Sequence, residues 1–440
     1  MDFSFLPDLQ SLGIEGATVL MFAMLLLLLL TGMPLAFVTL LVALIFALGW
    51  FGPTALPLIT SRIFSFVNSF VFVAVPMFVL MAAILDRSGI ARDLFDAMKV
   101  LAGRIRGGVA IQTLLVAIVL AAMSGIIGGE VVLLGLLALP QMLRLGYDKN
   151  LAIGVCCAGG ALGTMVPPSI VLIIYGLTAN VSIGELFTSA FVPGFMLALF
   201  YATYILFRAY TNPALAPVAD PEEMSTGEKL RLLKGLFLPI LVVIFVLGSI
   251  YGGIASVTEA SAIGVVGVTL STMIRGEFSR KLLMGAAGQT LRTVGMIVWI
   301  GIGASALVGV FNLMGGIKFV SALIQGVSEE PIVVILFMMA ILFVLGMFLD
   351  WVGIALLCMP IFVPIVKDLG YDPVWFGVVF AMNMQVSFLS PPFGPAAFYL
   401  KSVVPDEISL GDIFRSLIPF IGMQILALAL LIMFPGLTGH

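Results

Sequence analysis

The residues of this chain that could do chemistry in an apolar setting fall at two places. At the first, Ser124, Gly125 and Glu130 are followed downstream by Gly163, Thr164, Val166, Pro167, Pro168 and Ser169. At the second, Gly346 and Asp350 are followed by Ser387, Leu389, Ser390, Pro391, Pro392 and Gly394. A proline inside a helix removes one backbone donor and frees a carbonyl one turn earlier. In lipid, freed backbone groups are tolerated only where they are buried in protein or line a cavity. Each Pro-Pro pair therefore reads as a helix opened on purpose. Carbonyls of Gly163, Thr164 and Val166, before Pro167, and of Ser387, Leu389 and Ser390, before Pro391, are hard oxygen ligands suited to Na+. Half-helices beginning near Ser169 and Gly394 would turn positive dipole ends into the same space, where an anion is welcome.

Ser124 to Glu130 and Gly346 to Asp350 supply the opposite wall of each site. Glu130 and Asp350 are the only carboxylates near those breaks, and an acid inside a membrane is functional by default; capping a half-helix N-terminus is the alternative role for each. Asn383 and Gln385 are candidate substrate contacts, with helix packing the equally open alternative. No Lys or Arg lies deep in these segments, so an anionic substrate is expected to be neutralised by bound cations and helix ends. That arrangement favours cation-coupled transport. The single histidine is His440, and Cys156, Cys157 and Cys358 lack any CxxC spacing, so His catalysis and a Cys or His metal site have no material. Nothing calls for an organic cofactor or a nucleic acid. An intramembrane enzyme built on Ser124, Glu130 and Asp350 is the remote alternative, lacking a visible base or metal cluster.

The elements that hold these residues must be membrane helices. The 440 residues are 62% hydrophobic and 10% charged, against about 25% charged in soluble domains. Apolar runs recur from Ile14 to Phe434 and leave no room for a soluble domain. Spans are expected near 14–31, 34–52, 70–85, 150–179 and 186–207, then 235–254, 256–274, 293–311, 373–404 and 415–434. Two segments, about 109–143 and 331–366, are too long for one span and break in the middle. The N-terminus lacks a basic n-region, so the first run is expected to be retained as a span. Residues 86–108 read as a loop, 208–234 as a polar linker, and 276–293 as an amphipathic basic arm on the membrane surface. Residues 51–69 read as a second arm or as a passive interfacial helix.

The two halves, 1–207 and 235–440, repeat each other. The Gly-Tyr-Asp triplets at 146–148 and 370–372 are 224 residues apart, as are the two Pro-Pro pairs. "SIGELFTSAFVPG" from Ser182 matches "SLGDIFRSLIPF" from Ser409 after a three-residue slip, and Glu130 and Asp350 each stand ten residues before a proline. Landmarks matched in order imply duplication. Arg87, Arg92, Lys99, Arg104 and Arg106 precede the first broken segment and Arg144 and Lys149 follow it, so both its ends are expected in the cytoplasm. Acids dominate the flanks of the second. The expectation is an all-α polytopic membrane protein with an inverted repeat, two re-entrant hairpins entering from opposite faces, and two broken helices. The linker, with Arg208, Lys229, Arg231 and Lys234, is then cytoplasmic and both termini lie outside.

"GTMVPPSIVLIIYG" followed by "SIGELFTSAFVPG", "LGYDPVWFG" leading to "SPPFG", and "GIASVTEASAIG" between them resemble the large membrane subunit of tripartite ATP-independent periplasmic (TRAP) transporters. The resemblance covers nearly the whole chain. It implies an elevator mechanism, a transport domain moving on a scaffold, in the bacterial inner membrane. It also implies Na+ coupling, a small four-span partner subunit and a periplasmic binding protein that delivers an organic acid. Carried onto this chain, one ion site involves Ser124 and Gly125 with Gly163 to Pro167, and the other Asp350 with Ser390 to Pro392. Many relatives have a Ser-rich first hairpin tip, whereas this chain has Ile126, Ile127 and Glu130 there, which suggests a subgroup with its own substrate preference. The lean is towards a small 2-oxo or 2-hydroxy monocarboxylate. A stand-alone symporter of similar architecture is the near alternative.

Overall fold

The computed structural model describes residues 8–102, 105–125, 128–218 and 225–439. Arg104, Ile126 and Ile127 lie outside them. Among the described residues the fold is helical throughout, and eight helices are long and apolar enough to cross a membrane. Leucines such as Leu26, Leu27 and Leu30 are exposed on the outside of the bundle, as lipid contact requires.

One group of helices forms a scaffold. Leu35–Phe51, Leu56–Val67, Ala74–Arg87, Val257–Ile274 and Arg280–Leu313 pack on one another. Small residues let their backbones approach, as association within lipid favours. A Cβ placed on Gly303 would stand 2.5 Å from the Ala36 carbonyl oxygen.

The second group carries the breaks. Gly108–Ser124 and Gly129–Arg144 form the first hairpin, and Lys149–Ala161 with Ile170–Ala179 the first broken helix, ahead of the long Ile183–Thr211. The same order returns as Pro331–Gly346 and Trp351–Asp368, then Pro373–Leu389 and Pro395–Lys401, then Leu410–Met433. Both Pro-Pro bonds, at 167–168 and 391–392, are cis. The motifs repeated in the sequence prove to be helix starts. Asp148 accepts from the Leu151 N–H at 3.0 Å and Asp372 from the Val374 N–H at 2.6 Å, while Ser182 and Ser409 cap the long helices. Lys149 and Asp412, at the starts of elements from opposite halves, pair at 2.9 Å.

Two expectations need correction. Residues 86–108 are not simply a loop, because they hold the helix Ile90–Ala102, whose Ile90, Ala91, Leu94, Phe95, Ala97 and Met98 are buried. Its charges mask a 3.6-residue apolar stripe. Arg275 fastens it, bonding Asp93 at 2.6 Å and Glu277 at 2.9 Å. The Arg275 guanidinium in turn holds the Glu277 carboxyl below the usual range. Residues 276–293 are not a separate surface arm, since from Arg280 they run without a break into the 34-residue helix Arg280–Leu313. Within the linker, the preceding helix continues to Thr211, and Thr226–Lys234 is a helix opened by a capping box of Ser225 and Glu228.

The first hairpin lies against the first broken helix at Gly160. A Cβ there would stand 2.8 Å from the Val131 nitrogen and 2.9 Å from its Cα, backbone that cannot swing aside. Gly160→Ala is therefore expected to destabilise the protein by about 2 kcal/mol, read as a lower thermal midpoint in detergent. Gly248→Ala, in a helix interior with nothing within 4 Å, is expected to hold or raise that midpoint.

Candidate functional site

Each hairpin places its tip on a helix break. At the first, Gly125 ends its helix with φ 57°, and its carbonyl accepts the Ile170 N–H at 3.3 Å. A Cβ on Gly125 would collide with the Pro168 carbonyl oxygen and lie 3.5 Å from the Ser169 Cα. Only glycine fits there. Across the tip, the Ser124 hydroxyl donates to Glu130 Oε1. Glu130 is 2% exposed, and its Oε2 is buried without a hydrogen-bond partner among the described residues. Both carboxylate oxygens lie over Gly163, at 3.1 and 3.2 Å from where its Cβ would be. Glu130 is the second residue of its helix and does not cap it; Gly128 stands at the cap.

The interior of the break is tied down. The Ser169 hydroxyl donates to the Thr164 carbonyl at 2.6 Å, which engages one of the carbonyls expected to face an ion. The Thr164 hydroxyl lies 3.1 Å from Gln385 Oε1, a bond that joins the two broken helices. The Gln385 Nε2 is buried and has no partner among the described residues. Residues 161–170, with Gly163, Val166 and Pro167 among them, are buried throughout.

The second break is built alike but more openly. Gly346 ends its hairpin helix against Ser387, whose Oγ would stand 2.5 Å from a Cβ on that glycine. The Ser387 carbonyl accepts the Ser390 N–H at 3.1 Å, and the Ser390 hydroxyl donates to the Val386 carbonyl at 2.8 Å. Asp350 caps its helix, accepting from the Val352 N–H at 3.0 Å, and remains exposed. Pro391, Pro392 and Phe393 are exposed too, whereas Leu389 and Gly394 are buried.

Some sequence-based expectations change. Asn383 donates to the Met339 carbonyl at 2.9 Å, so it ties the second hairpin to the broken helix and takes the packing role. The half-helix after Gly394 has only seven residues, a small dipole beside that of the ten-residue Ile170–Ala179. Other neighbours of the tips escaped sequence reading. The Tyr399 ring lies 2.9 Å from where a Cβ on Gly128 would be, and Asp86 Oδ2 lies 3.0 Å from that position on Gly129. Asp86 accepts from Gln289 at 3.4 Å, and Gln289 accepts from Arg87 at 3.0 Å. An acid at the end of an apolar run was the available signal for Asp86.

The first break suits a small cation. A buried carboxylate oxygen with no partner among the described residues, a serine oxygen and a backbone opened by prolines form a hard, all-oxygen donor set. The residues that would hold Na+ are Ser124, Glu130 and the Gly163–Pro167 backbone, and at the second break Asp350, Ser387 and Ser390.

Residues 22–437 match the family described as "Tripartite ATP-independent periplasmic transporter, DctM component". The chain is 28% identical over 394 residues, 88% of this chain and 90% of that one, to the C4-dicarboxylate TRAP transporter large permease protein DctM of Pseudomonas aeruginosa. It is 27% identical over 414 residues, 93% and 95% of the two chains, to the sialic acid large permease protein SiaM of Vibrio cholerae. To the ectoine large permease protein TeaC of Halomonas elongata it is 30% identical over 373 residues, 83% and 84%. In fold it is similar to the YdaH transporter of Alcanivorax borkumensis, with TM-score 0.61 at 16% identity over 86% of this chain and 87% of that one.

Proposed function

The chain belongs to the DctM family of tripartite ATP-independent periplasmic transporters, and on that premise we propose that it imports a small organic acid across the inner membrane by Na+ coupling. It is a multi-pass permease of that membrane and not an enzyme. Two relatives are named for acids, C4-dicarboxylate and sialic acid, in keeping with an anionic cargo. The cargo reaches the permease from a periplasmic binding protein, and a small four-span subunit holds the scaffold. The hairpins, broken helices and their long flanking helices travel together as an elevator against the scaffold.

The observation that carries this reading is the meeting of hairpin tips and helix breaks: Gly125 on Pro168 and Ser169, and Gly346 on Ser387. Opened, oxygen-rich backbone meets a hairpin tip twice, and at the first break the buried Glu130 carboxylate lies directly over it. Na+ bound there supplies positive charge to a region in which no Lys or Arg among the described residues takes part, and that charge balances an organic anion.

The test is uptake of labelled organic acids by liposomes carrying the permease, the small subunit and the binding protein, with and without an inward Na+ gradient. Uptake is expected to depend on the gradient and on both partners. Uptake that ignores Na+ defeats the coupling, and uptake without the partners makes the chain a stand-alone symporter. Asp350 allows a finer measurement, because Asn keeps the N-cap and removes the charge. Asp350→Asn is expected to weaken Na+ activation about tenfold, roughly 1.4 kcal/mol. Full Na+ activation in Asp350→Asn, with loss in Asp350→Ala, would reduce Asp350 to a helix cap.

A further inference from the structure

A cavity of about 420 Å³ lies between scaffold and transport helices, away from the breaks. Leu56–Val67 contributes Arg62, the long helix Arg280–Leu313 contributes Ser305 and Asn312, and the half-helix Ile170–Ala179 contributes Thr178. Leu356 and Pro360 of the second hairpin close it. Among the described residues no acid lines it, and Arg62 finds no ion-pair or hydrogen-bond partner among them. The methylene stem of Arg62 is seated on Gly309, with Cγ 3.0 Å from where a Cβ would be. Gly309 thus leaves room for the stem and fixes where the guanidinium emerges. The Asn312 side chain makes no hydrogen bond to the described residues either.

The cavity's place in the bilayer follows from Phe70–Arg87, an 18-residue span that joins it to the basic segment beginning at Arg87. Those ends are about 27 Å apart. Basic segments stay on the cytoplasmic side, so the cavity belongs to the outer end. Thr178 lies nine residues beyond Ser169, about 13 Å along the half-helix. A second cavity, of about 460 Å³, shares Ser69 and Leu177 with it and extends along the same half-helix.

We propose that this cavity is an outward vestibule for the substrate's carboxylate, with Arg62 as its counter-charge and Asn312 as a neutral donor. This deepens, and rests on, the reading of the chain as an organic-acid permease. A planar fork suits a carboxylate, and an exposed cation at the mouth of a cleft that no acid among the described residues lines raises the local concentration of anions. The volume is that of a small-molecule site. The walls come from both groups of helices, so movement of one against the other would reshape the vestibule and pass its contents on. Arg62 stands in the scaffold, which allows the anion to leave it behind when it reaches the breaks.

The test reads charge in the cavity without transport. Asn312→Cys is made in the full-length chain with Cys358→Ser, the remaining Cys156 and Cys157 being buried. The rates at which the introduced thiol is modified are compared for two reagents of similar size, the anionic sulfonatoethyl and the cationic trimethylammonioethyl methanethiosulfonates. The anionic-to-cationic ratio is expected to fall about tenfold with Arg62→Gln and to hold with Arg62→Lys, at unchanged thermal midpoints. A ratio that ignores Arg62→Gln, or an introduced thiol that neither reagent reaches, overturns the proposal. Because no Na+ gradient, partner or cargo enters the measurement, failure of the vestibule is told apart from failure of the coupled-uptake reading on which it rests.

Discussion

Glu130→Gln is expected to cut Na+-driven uptake about a hundredfold while making the Na+-free protein more stable. The Glu130 carboxylate is 2% exposed, receives the Ser124 hydroxyl on one oxygen and leaves the other buried without a partner among the described residues. No Lys or Arg among the described residues pairs with it. A buried charge without a counter-charge costs several kcal/mol, whereas the Gln amide of the same shape carries none, so stability should rise by about 1–3 kcal/mol. Added Na+ should stabilise the parent protein by about 2.7 kcal/mol at a hundred times its dissociation constant. The same addition should leave Glu130→Gln unmoved. Thermal midpoints with and without Na+, choline replacing it, give both readings at once. An equal Na+-dependent rise in parent and variant would remove Glu130 from the ion site. The hundredfold loss in uptake corresponds to about 2.7 kcal/mol of lost ion binding, within reach of one charged ligand.

That asymmetry between Glu130 and Asp350 is hidden in the sequence, where the two acids occupy matching places ten residues before a proline. The breaks themselves are legible, because Pro-Pro pairs and Gly clusters in an apolar run have few other uses. The hairpins are legible for the same reason, to within a residue or two at their ends. What each polar residue bonds to depends on which helix lies across from it. Asn383 faces Met339 on the second hairpin, whereas Gln385, two positions on, reaches Thr164 of the other broken helix. No local pattern distinguishes them. Arg62 reads in sequence as one charge on an interfacial helix, since Gly309 and Asn312, which give it meaning, are far away along the chain. The helix Ile90–Ala102 is masked because its charged residues speak to topology more loudly than to periodicity.

Gly125→Ala is expected to lower uptake by about a hundredfold with the helical content intact. Gly125 sits at φ 57°, where an L side chain costs about 1–2 kcal/mol. Its Cβ would also occupy the place of the Pro168 carbonyl oxygen. Both obstacles are backbone, so neither can be relieved by a change of rotamer. Relief comes by lifting the tip from the break, which also separates the Gly125 carbonyl from the Ile170 N–H. The donor set would then open while the helices of the hairpin, each held along its own length, persist. Circular dichroism should match that of the parent, and Na+ should no longer raise the thermal midpoint. Gly411→Ala is the control: it lies in a first helical turn and would meet only the Ser409 hydroxyl at 3.7 Å, an ordinary contact. It should transport like the parent. If Gly125→Ala also transports like the parent and keeps its response to Na+, the seating of the first hairpin tip on the proline break does not hold the ion. The oxygen ligands would then have to be sought at the second break alone.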